Sequence, residues 1–211
     1  MYQPLIKFHP HPAIFTQVLH IFVCMTKVLL HSCCAPCSAA ILEWLQDNNY
    51  ATTIFFYNPN IFPEDEYLRR KEEIVRYAAQ IGVPIVDLDD SHWDDDHAQW
   101  REGLCHLASE PERGARCLEC FRYRLLRAAQ YASQNGFDCF TTTLASSRWK
   151  DLNQIIAAGN WAASQHPDGA TFWDRNWRKG GLYERRNELA KQFYNQQYCG
   201  CEFSIRNNKQ I

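Results

Sequence analysis

The chain has 211 residues, 46% of them hydrophobic and 22% charged, with a formal net charge of −2, which describes an ordinary globular protein long enough to bury one core. No global charge announces a nucleic-acid partner, so any such site has to be a local patch. Ten cysteines, in a helix-rich chain of this size with no signal peptide ahead of them, point to ligands or catalysts rather than to the disulfide scaffold of a small secreted domain.

Residues 1–24 differ in character from the rest of the chain. His9, Pro10, His11 and Pro12 lead to an apolar run, Val18 to Cys24, interrupted by His20. The run is too short to span a bilayer, and the residues before it lack the charged flank and small-residue cleavage site of a signal peptide. It reads as an extension ahead of a mis-assigned start, because Met25 opens the compact βα beginning MTKVLLHSCCAPCS. The globular domain is expected over 25–206, with 207–211 as a tail.

From Met25 the pattern alternates. A strand is expected over 27–31, a helix over 38–48 with Ile41, Leu42 and Leu45 inward, and a β-branched and aromatic strand over 51–57. Asn58-Pro59-Asn60 breaks that strand. A helix over 64–81 carries acids early, then Arg69, Arg70 and Lys71 on a solvated face over a stripe of Tyr67, Ile74, Tyr77 and Ala78, with Gly82 as its cap. A third strand over 83–88 runs into an acidic stretch, 87–96, that holds His92 and His97. A metal reading of those histidines is weaker than a loop entering a helix, since acids favour the first helical turn; that helix is expected over 93–108. A charged loop over 110–115 precedes a helix over 117–133, ended by Gly136. A fourth strand over 140–144, a helix over 151–164, a segment at 170–178 ambiguous between strand and loop, and a helix over 183–194 complete the chain. Strands alternating with helices at this spacing predict a single-domain α/β fold: a parallel sheet with helices on both faces, in three layers.

The chemistry is concentrated in thiols. HSCCAPCS places Cys33, Cys34 and Cys37 where the first strand ends and a helix begins, with Pro36 suited to the first helical turn. The positive end of that helix favours thiolate, and so metal binding or nucleophilic chemistry. Cys117-x-x-Cys120 opens another helix, within reach of one metal or of each other as a redox dithiol. Cys199-Gly200-Cys201 is a third pair, in which glycine permits the tight turn that converges two sulfurs. The lone cysteines, Cys24, Cys105 and Cys139, read as buried small hydrophobes. A closed zinc tetrahedron needs fewer thiolates than these, so an iron–sulfur cluster, with a second metal to use the surplus, is the better reading.

Four stretches together carry a resemblance: HSCCAPCS after the first strand, the block Arg116, Cys117, Cys120, Phe121, Arg124 and Leu125, TTTLASSRWKD, and the terminal QQYCGCEFS. Spanning almost all of Met25 to Ser204, they resemble the epoxyqueuosine reductase QueH family. The resemblance implies a Rossmann-like fold related to adenine nucleotide α-hydrolases and a [4Fe–4S] cluster with an adjacent iron. It also implies reduction of epoxyqueuosine to queuosine at the wobble position of tRNA, the final step of that modification. By position, Cys33, Cys34, Cys117, Cys120, Cys199 and Cys201 are then the expected metal ligands. Cys37 lies where some relatives carry aspartate, and supplies a softer anionic ligand in its place. Because HSCCAPCS has no glycine to bring backbone amides around a phosphate, no ATP dependence is expected.

Around the thiols, Ser146, Ser147 and Lys150 follow the fourth strand, where ligands of an open α/β sheet sit; the alternating Thr141 to Thr143 are put down to β-propensity. Arg116 and Arg124, with Arg113, Arg122 and Arg127, surround the second thiol pair and are expected to reach phosphates. Arg185 and Arg186, with Arg175, Arg178 and Lys179, are interleaved with Trp173, Trp177 and Tyr183, a combination suited to an unstacked anticodon base. Tyr198, beside the last thiol pair, is the candidate proton donor, and Cys34 and Cys37 the candidate catalytic thiols. A cytoplasmic enzyme fed by an electron-donor protein or reductant follows from this reading, with no membrane role. Two alternatives remain: a cluster-dependent tRNA-thiolating enzyme, which would need the missing ATP loop, and a redox-silent structural zinc module.

Overall fold

The structure is a computed structural model that describes residues 25–87 and 93–205. The extension over 1–24, with Cys24, and the tail over 207–211 lie outside the described residues, as does His92. At the centre is β1 (Lys27–Ser32), whose Val28, Leu29 and Leu30 have no exposed surface. A strand apolar on both sides is what a parallel sheet covered on both faces requires. Around it lie β2 (Ala51–Phe56), β3 (Ile85–Asp87), β4 (Cys139–Thr142) and β5 (Thr171–Phe172), all parallel, in the order β3-β2-β1-β4-β5. The flanking helices are α1 (Ala35–Asp47), α2 (Glu64–Ile81), α3 (Trp93–Leu104), α4 (Ala115–Gln134), α5 (Leu152–Ser164) and α6 (Leu182–Leu189). This is the expected single-domain α/β fold with a Rossmann-like, three-layer arrangement. No described helix is long and apolar enough to cross a membrane.

The chain after β1 crosses to β2 on one side, while β4 enters on the other. Between β1 and β4, therefore, the strand order reverses, and the loops leaving their carboxyl ends diverge to open a crevice. Three hydrogen bonds lock the top of these strands. His31 pairs with Thr142 in register, and its Nδ1 lies 2.8 Å from Thr142 Oγ1. Its Nε2 lies 3.2 Å from the Tyr57 carbonyl, which only accepts, so Nε2 carries the proton and Nδ1 accepts from the threonine. Thr142 Oγ1 in turn accepts the Leu144 amide at 3.2 Å. Burial, and then the Arg124 charge, push the imidazole down to about 3, so it is neutral at physiological pH.

Several element boundaries differ from the sequence expectation. The first helix starts at Ala35, because Cys34 is its N-cap and Pro36 fits the first turn, where no amide donor is needed. The fourth strand stops at Thr142, whose side chain bonds the Leu144 amide and turns Thr143–Ser146 into a 3₁₀ helix. The third strand is only Ile85–Asp87. The helix expected over 93–108 ends at Leu104 and continues as a 3₁₀ turn, Cys105–Leu107; the last helix likewise stops at Leu189, with Ala190–Gln192 after it. The ambiguous segment forms the two-residue edge strand β5 and then a loop. His97 is buried, donates Nδ1–H to the Pro59 carbonyl at 2.7 Å and stacks between Trp93 and Trp100, which is a packing role. Cys139 is buried as expected, but Cys105 is exposed, because it falls in the 3₁₀ turn rather than on the buried side of a helix.

Candidate metal centre and substrate cleft

A cleft of about 660 Å³ opens at the carboxyl ends of β1 and β4. Its wall includes Cys33, Cys37, Cys117, Cys120, Cys199 and Cys201, with Cys34 fully buried behind it. All nine described cysteines are free thiols. The structure sorts the seven site thiols into two sets. Cys33, Cys34 and Cys37 have sulfurs all within 4.8 Å of one another, the tightest such group of metal-ligand side chains among the described residues. They converge because Cys33 ends the β1 turn, Cys34 caps α1 and Cys37 lies in that helix's first turn.

Each sulfur of this triad has its own donor. The Thr143 hydroxyl lies 3.4 Å from Cys33 Sγ, Gln196 Nε2 lies 3.3 Å from Cys34 Sγ, and Arg186 Nη2 lies 3.5 Å from Cys37 Sγ. Cys37 is held well below the ordinary thiol range by hydrogen bonds from the Cys33 and Cys34 sulfurs and by the Arg186 charge. Cys34 is pushed well up by its hydrogen bonds with the Cys33 and Cys37 sulfurs and by burial. A shared negative charge on three clustered sulfurs, held by a guanidinium and a helix N-terminus, is an electrostatic environment for a cation.

The second set does not converge in this way. Cys117 and Cys120 come from the first turns of α4, and the Arg113 amide donates to Cys117 Sγ at 3.2 Å. Cys199 and Cys201 come from the C-terminal segment. There the Phe62 amide donates to the Gly200 carbonyl at 2.9 Å, and Ile61 bridges Cys201. Gly200 has φ +103, and a Cβ there would meet Arg70 Nη1 and Ile61 Cγ1 at 3.0 Å, so the turn between the two thiols requires glycine. Cys199 is held low by a hydrogen bond from Cys201, which is itself pushed up by it; burial pushes Cys117 and Cys120 up. The Cys199 charge also pushes Cys117 and Cys120 up, while Lys150 lowers Cys199, so the second set is one electrostatic unit.

Cations gather on the same wall: Arg70, Arg113, Arg116, Arg124, Lys150 and Arg186 against the acids Glu112 and Asp151. Thus a chain of net charge −2 presents a basic cleft. Most of these guanidiniums are buried and engaged. Arg124 donates to Asn58 Oδ1, and Asn58 passes the link to the Ser32 carbonyl at 2.8 Å. Arg116 holds the Ala108 carbonyl at 2.7 Å. Arg70, expected on a solvated face, is buried beneath the Cys199–Cys201 turn and pairs with Glu66. The i, i+4 spacing to Glu66 was the one signal in the sequence that could have marked it.

The remaining expected residues divide. Ser147 and Lys150 line the cleft. Ser146 does not; its hydroxyl is buried and donates to the Thr143 carbonyl at 2.8 Å. Thr143, put down to strand propensity, reaches the site instead, because the strand has already ended there. Arg185 points away and pairs with Glu43 and Glu188, both at 2.8 Å, whereas its neighbour Arg186 faces the triad. Trp173 and Trp177 pack with Trp44 beneath Arg175, and Trp177 donates to Thr141 Oγ1 at 3.0 Å, so this group stabilises the α1 face and does not line the cleft. Tyr198 lines the cleft, donates its hydroxyl to the Phe62 carbonyl and is pushed up to about 12 by burial.

Comparison with known proteins places the chain in a family. The profile of the family described as "Epoxyqueuosine reductase QueH" matches residues 28–207. The chain is 49% identical over 182 residues to the epoxyqueuosine reductase QueH of Histophilus somni, covering 85% of this chain and 72% of that protein. It is 48% identical over 182 residues to that of Acinetobacter baylyi, covering 85% and 81%, and 33% identical over 183 residues to that of Thermotoga maritima, covering 86% and 91%.

Proposed function

This chain belongs to the epoxyqueuosine reductase QueH family, and from that premise we propose how its cleft reduces epoxyqueuosine to queuosine in tRNA. It is a tRNA-modifying oxidoreductase. Opening and removing the epoxide takes two electrons and two protons, leaves an alkene and releases water. The chain therefore has to bind an RNA anion, admit electrons and hold protons in one place.

The observation that carries the reading is the division of the thiols on a single basic wall. Four thiols from α4 and the C-terminal turn, Cys117, Cys120, Cys199 and Cys201, line one wall without converging as the triad does, and would hold the [4Fe–4S] cluster, in which each thiolate binds a different iron. Cys33, Cys34 and Cys37 are close enough to share one ion and would hold the additional iron. The donor set fits both groups: free thiols, lowered or buried, with cationic neighbours. When bound, these groups supply single electrons and a Lewis acid.

The protein's own side chains do the rest. Arg186, Gln196 and Thr143 fix the three triad sulfurs. Lys150, which has no ion pair among the described residues, and Ser147 face the space where substrate enters. Tyr198 holds its proton at neutral pH and is a proton source once its hydroxyl leaves the Phe62 carbonyl. The domain is residues 25–206, and the setting is cytoplasmic, where tRNA and a reductant or donor protein meet it. The test is anaerobic protein, a low-potential reductant and tRNA carrying epoxyqueuosine, followed by digestion and mass detection of queuosine. Cluster-replete protein that yields none refutes the assignment.

A further inference from the structure

One large side chain in the cleft has no packing role. Trp149 is 69% exposed, although it belongs to the wall of the cleft. Most of the other tryptophans are buried or packed against the core. A single exposed apolar side chain is ordinary; what sets Trp149 apart is its place on the cleft wall, on a loop whose backbone is fixed from behind.

The loop that carries it is held from behind. Three consecutive carbonyls are each capped by a guanidinium. Arg113 Nη2 donates to the Arg148 carbonyl at 3.1 Å, Arg113 Nε to the Trp149 carbonyl at 2.9 Å, and Arg178 Nη2 to the Lys150 carbonyl at 2.9 Å. Asp151 then caps α5 by accepting the Asn153 and Gln154 amides, which fixes the loop's exit. Arg113 is itself strained, with φ +67 in a non-glycine residue. Its carbonyl accepts from Gln154 Nε2 at 2.8 Å, and its amide bonds Cys117 Sγ at 3.2 Å. Strain of this kind persists only where the surroundings over-determine it, and it collects at functional sites. The backbone is therefore anchored while the side chains project: the Arg148 guanidinium lies 4.8 Å over the indole, and Lys150 faces the cleft beside it.

We propose that Trp149 is a stacking shelf for an unstacked nucleobase of the tRNA anticodon loop next to the modified nucleotide, with Arg148 and Lys150 receiving the adjoining phosphates. This rests on the tRNA reading of the cleft. Bringing a modified base into a pocket requires the anticodon loop to unstack, and an exposed indole takes up a neighbouring base without reading its identity. The cations favour a nucleic acid over an apolar protein partner: the Arg148 guanidinium lies over the indole and Lys150 lines the same cleft. Because Arg113 touches both the shelf backbone and Cys117, the bound RNA and the second thiol set share one rigid support.

The experiment measures binding of an anticodon stem–loop RNA by anisotropy for wild type, Trp149→Phe and Trp149→Ala, all matched for metal content. Trp149→Ala should weaken binding about five- to a hundredfold, the range of one base–aromatic stack, and Trp149→Phe should stay within about threefold. An RNA with an abasic site on one side of the wobble nucleotide should bind wild type as weakly as intact RNA binds Trp149→Ala, and the substitution should then cost nothing more. In turnover, Trp149→Ala should raise KM for tRNA and leave kcat at saturation within about twofold. Trp149→Ala binding that matches wild type overturns the shelf while the conversion assay on wild type still stands or falls separately. Unchanged RNA binding with turnover lost only when a protein donor replaces a chemical reductant overturns it in favour of donor docking.

Discussion

Arg70 offers a test of how the fold supports the second thiol set. It is 1% exposed, and its Nη2 and Nε lie 2.6 and 2.7 Å from Glu66 Oε1. The same guanidinium donates to the Tyr198 carbonyl at 3.2 Å and the Cys199 carbonyl at 3.3 Å, so it is the strut beneath the Cys199-Gly200-Cys201 turn. Replacing it by methionine keeps most of the volume but takes away the close, buried cation and leaves the carboxylate only the exposed Arg69, 4.0 Å away. Removing one partner of a buried pair costs about 3–5 kcal/mol. Tyr194 still donates to Glu66 Oε2 at 2.8 Å, which favours the lower end, and the two stranded carbonyls push the figure back up. We expect about 4 kcal/mol, which for a domain of this size corresponds to a fall in Tm of about 8–16 °C.

Matched thermal and urea melts measure this, with Arg69→Met as the control. That residue's side chain is 51% exposed, and its loss should cost no more than about 0.5 kcal/mol. Adding Glu66→Gln to Arg70→Met should recover part of the stability, since the amide leaves no charge stranded. Iron retention should fall with Arg70→Met, because the turn presenting Cys199 and Cys201 loses its support. If Arg70→Met melts within about 2 °C of wild type, the buried pair is not holding this turn and the account is wrong.

Three further outcomes are expected of the site and its supports. Cys117→Ala or Cys199→Ala should abolish acid-labile sulfide and most of the iron, whereas Cys34→Ala should remove about one iron and spare sulfide, and Cys105→Ala neither; equal losses from both sets would overturn the division. Lys150→Ala should lower the slope of log affinity for tRNA against log salt by about 0.7–0.9, one phosphate contact, while Arg185→Ala leaves it unchanged; equal effects would mean that the cleft does not bind the RNA. His31 sits at about 3 when folded and near 6.5 when unfolded, so the unfolded chain takes up the proton first as pH falls. Stability is then full above about 6.5 and declines by about 1.4 kcal/mol per pH unit from there down to about 3, where the folded imidazole protonates too. His31→Gln, whatever its overall stability, should lose that slope; a variant with the wild-type slope shows that His31 is not its source.

The sequence made the sheet and the thiols legible for the same reason: both are written in short, local patterns. Val28 to Leu30 reads as a buried strand, and the cysteine pairs read as pairs. Long-range partnership was not legible. Arg70 is one of three consecutive cations, and nothing local says that it faces the turn 128 residues onward while Lys71 turns to Asp87. Arg185 and Arg186 are adjacent, yet α6 sends one to Glu43 and the other to Cys37. The Trp173 and Trp177 pair looked like a base platform, and its packing against Trp44 depends on how α1 crosses the sheet. Thr143 was masked by a strand pattern that ran past the real end of β4.

These placements change what the basic residues are for. A count of arginines around the thiols suggests a surface for phosphates, but the guanidiniums nearest the sulfurs are committed to the protein. Arg70 and Arg116 hold carbonyls, Arg124 holds Asn58, and Arg186 holds Cys37. Such buried cations offset the thiolate charge that metal binding requires and stay fixed while it is there. On the proposed reading, the cations near the cleft left for an RNA are on the loop after β4, where Arg148 is exposed and Lys150 has no ion pair among the described residues. Charge for the metal and charge for the substrate are, on that reading, separated along one wall. A substitution at Arg124 should therefore disturb iron content before RNA affinity, and one at Lys150 should do the opposite.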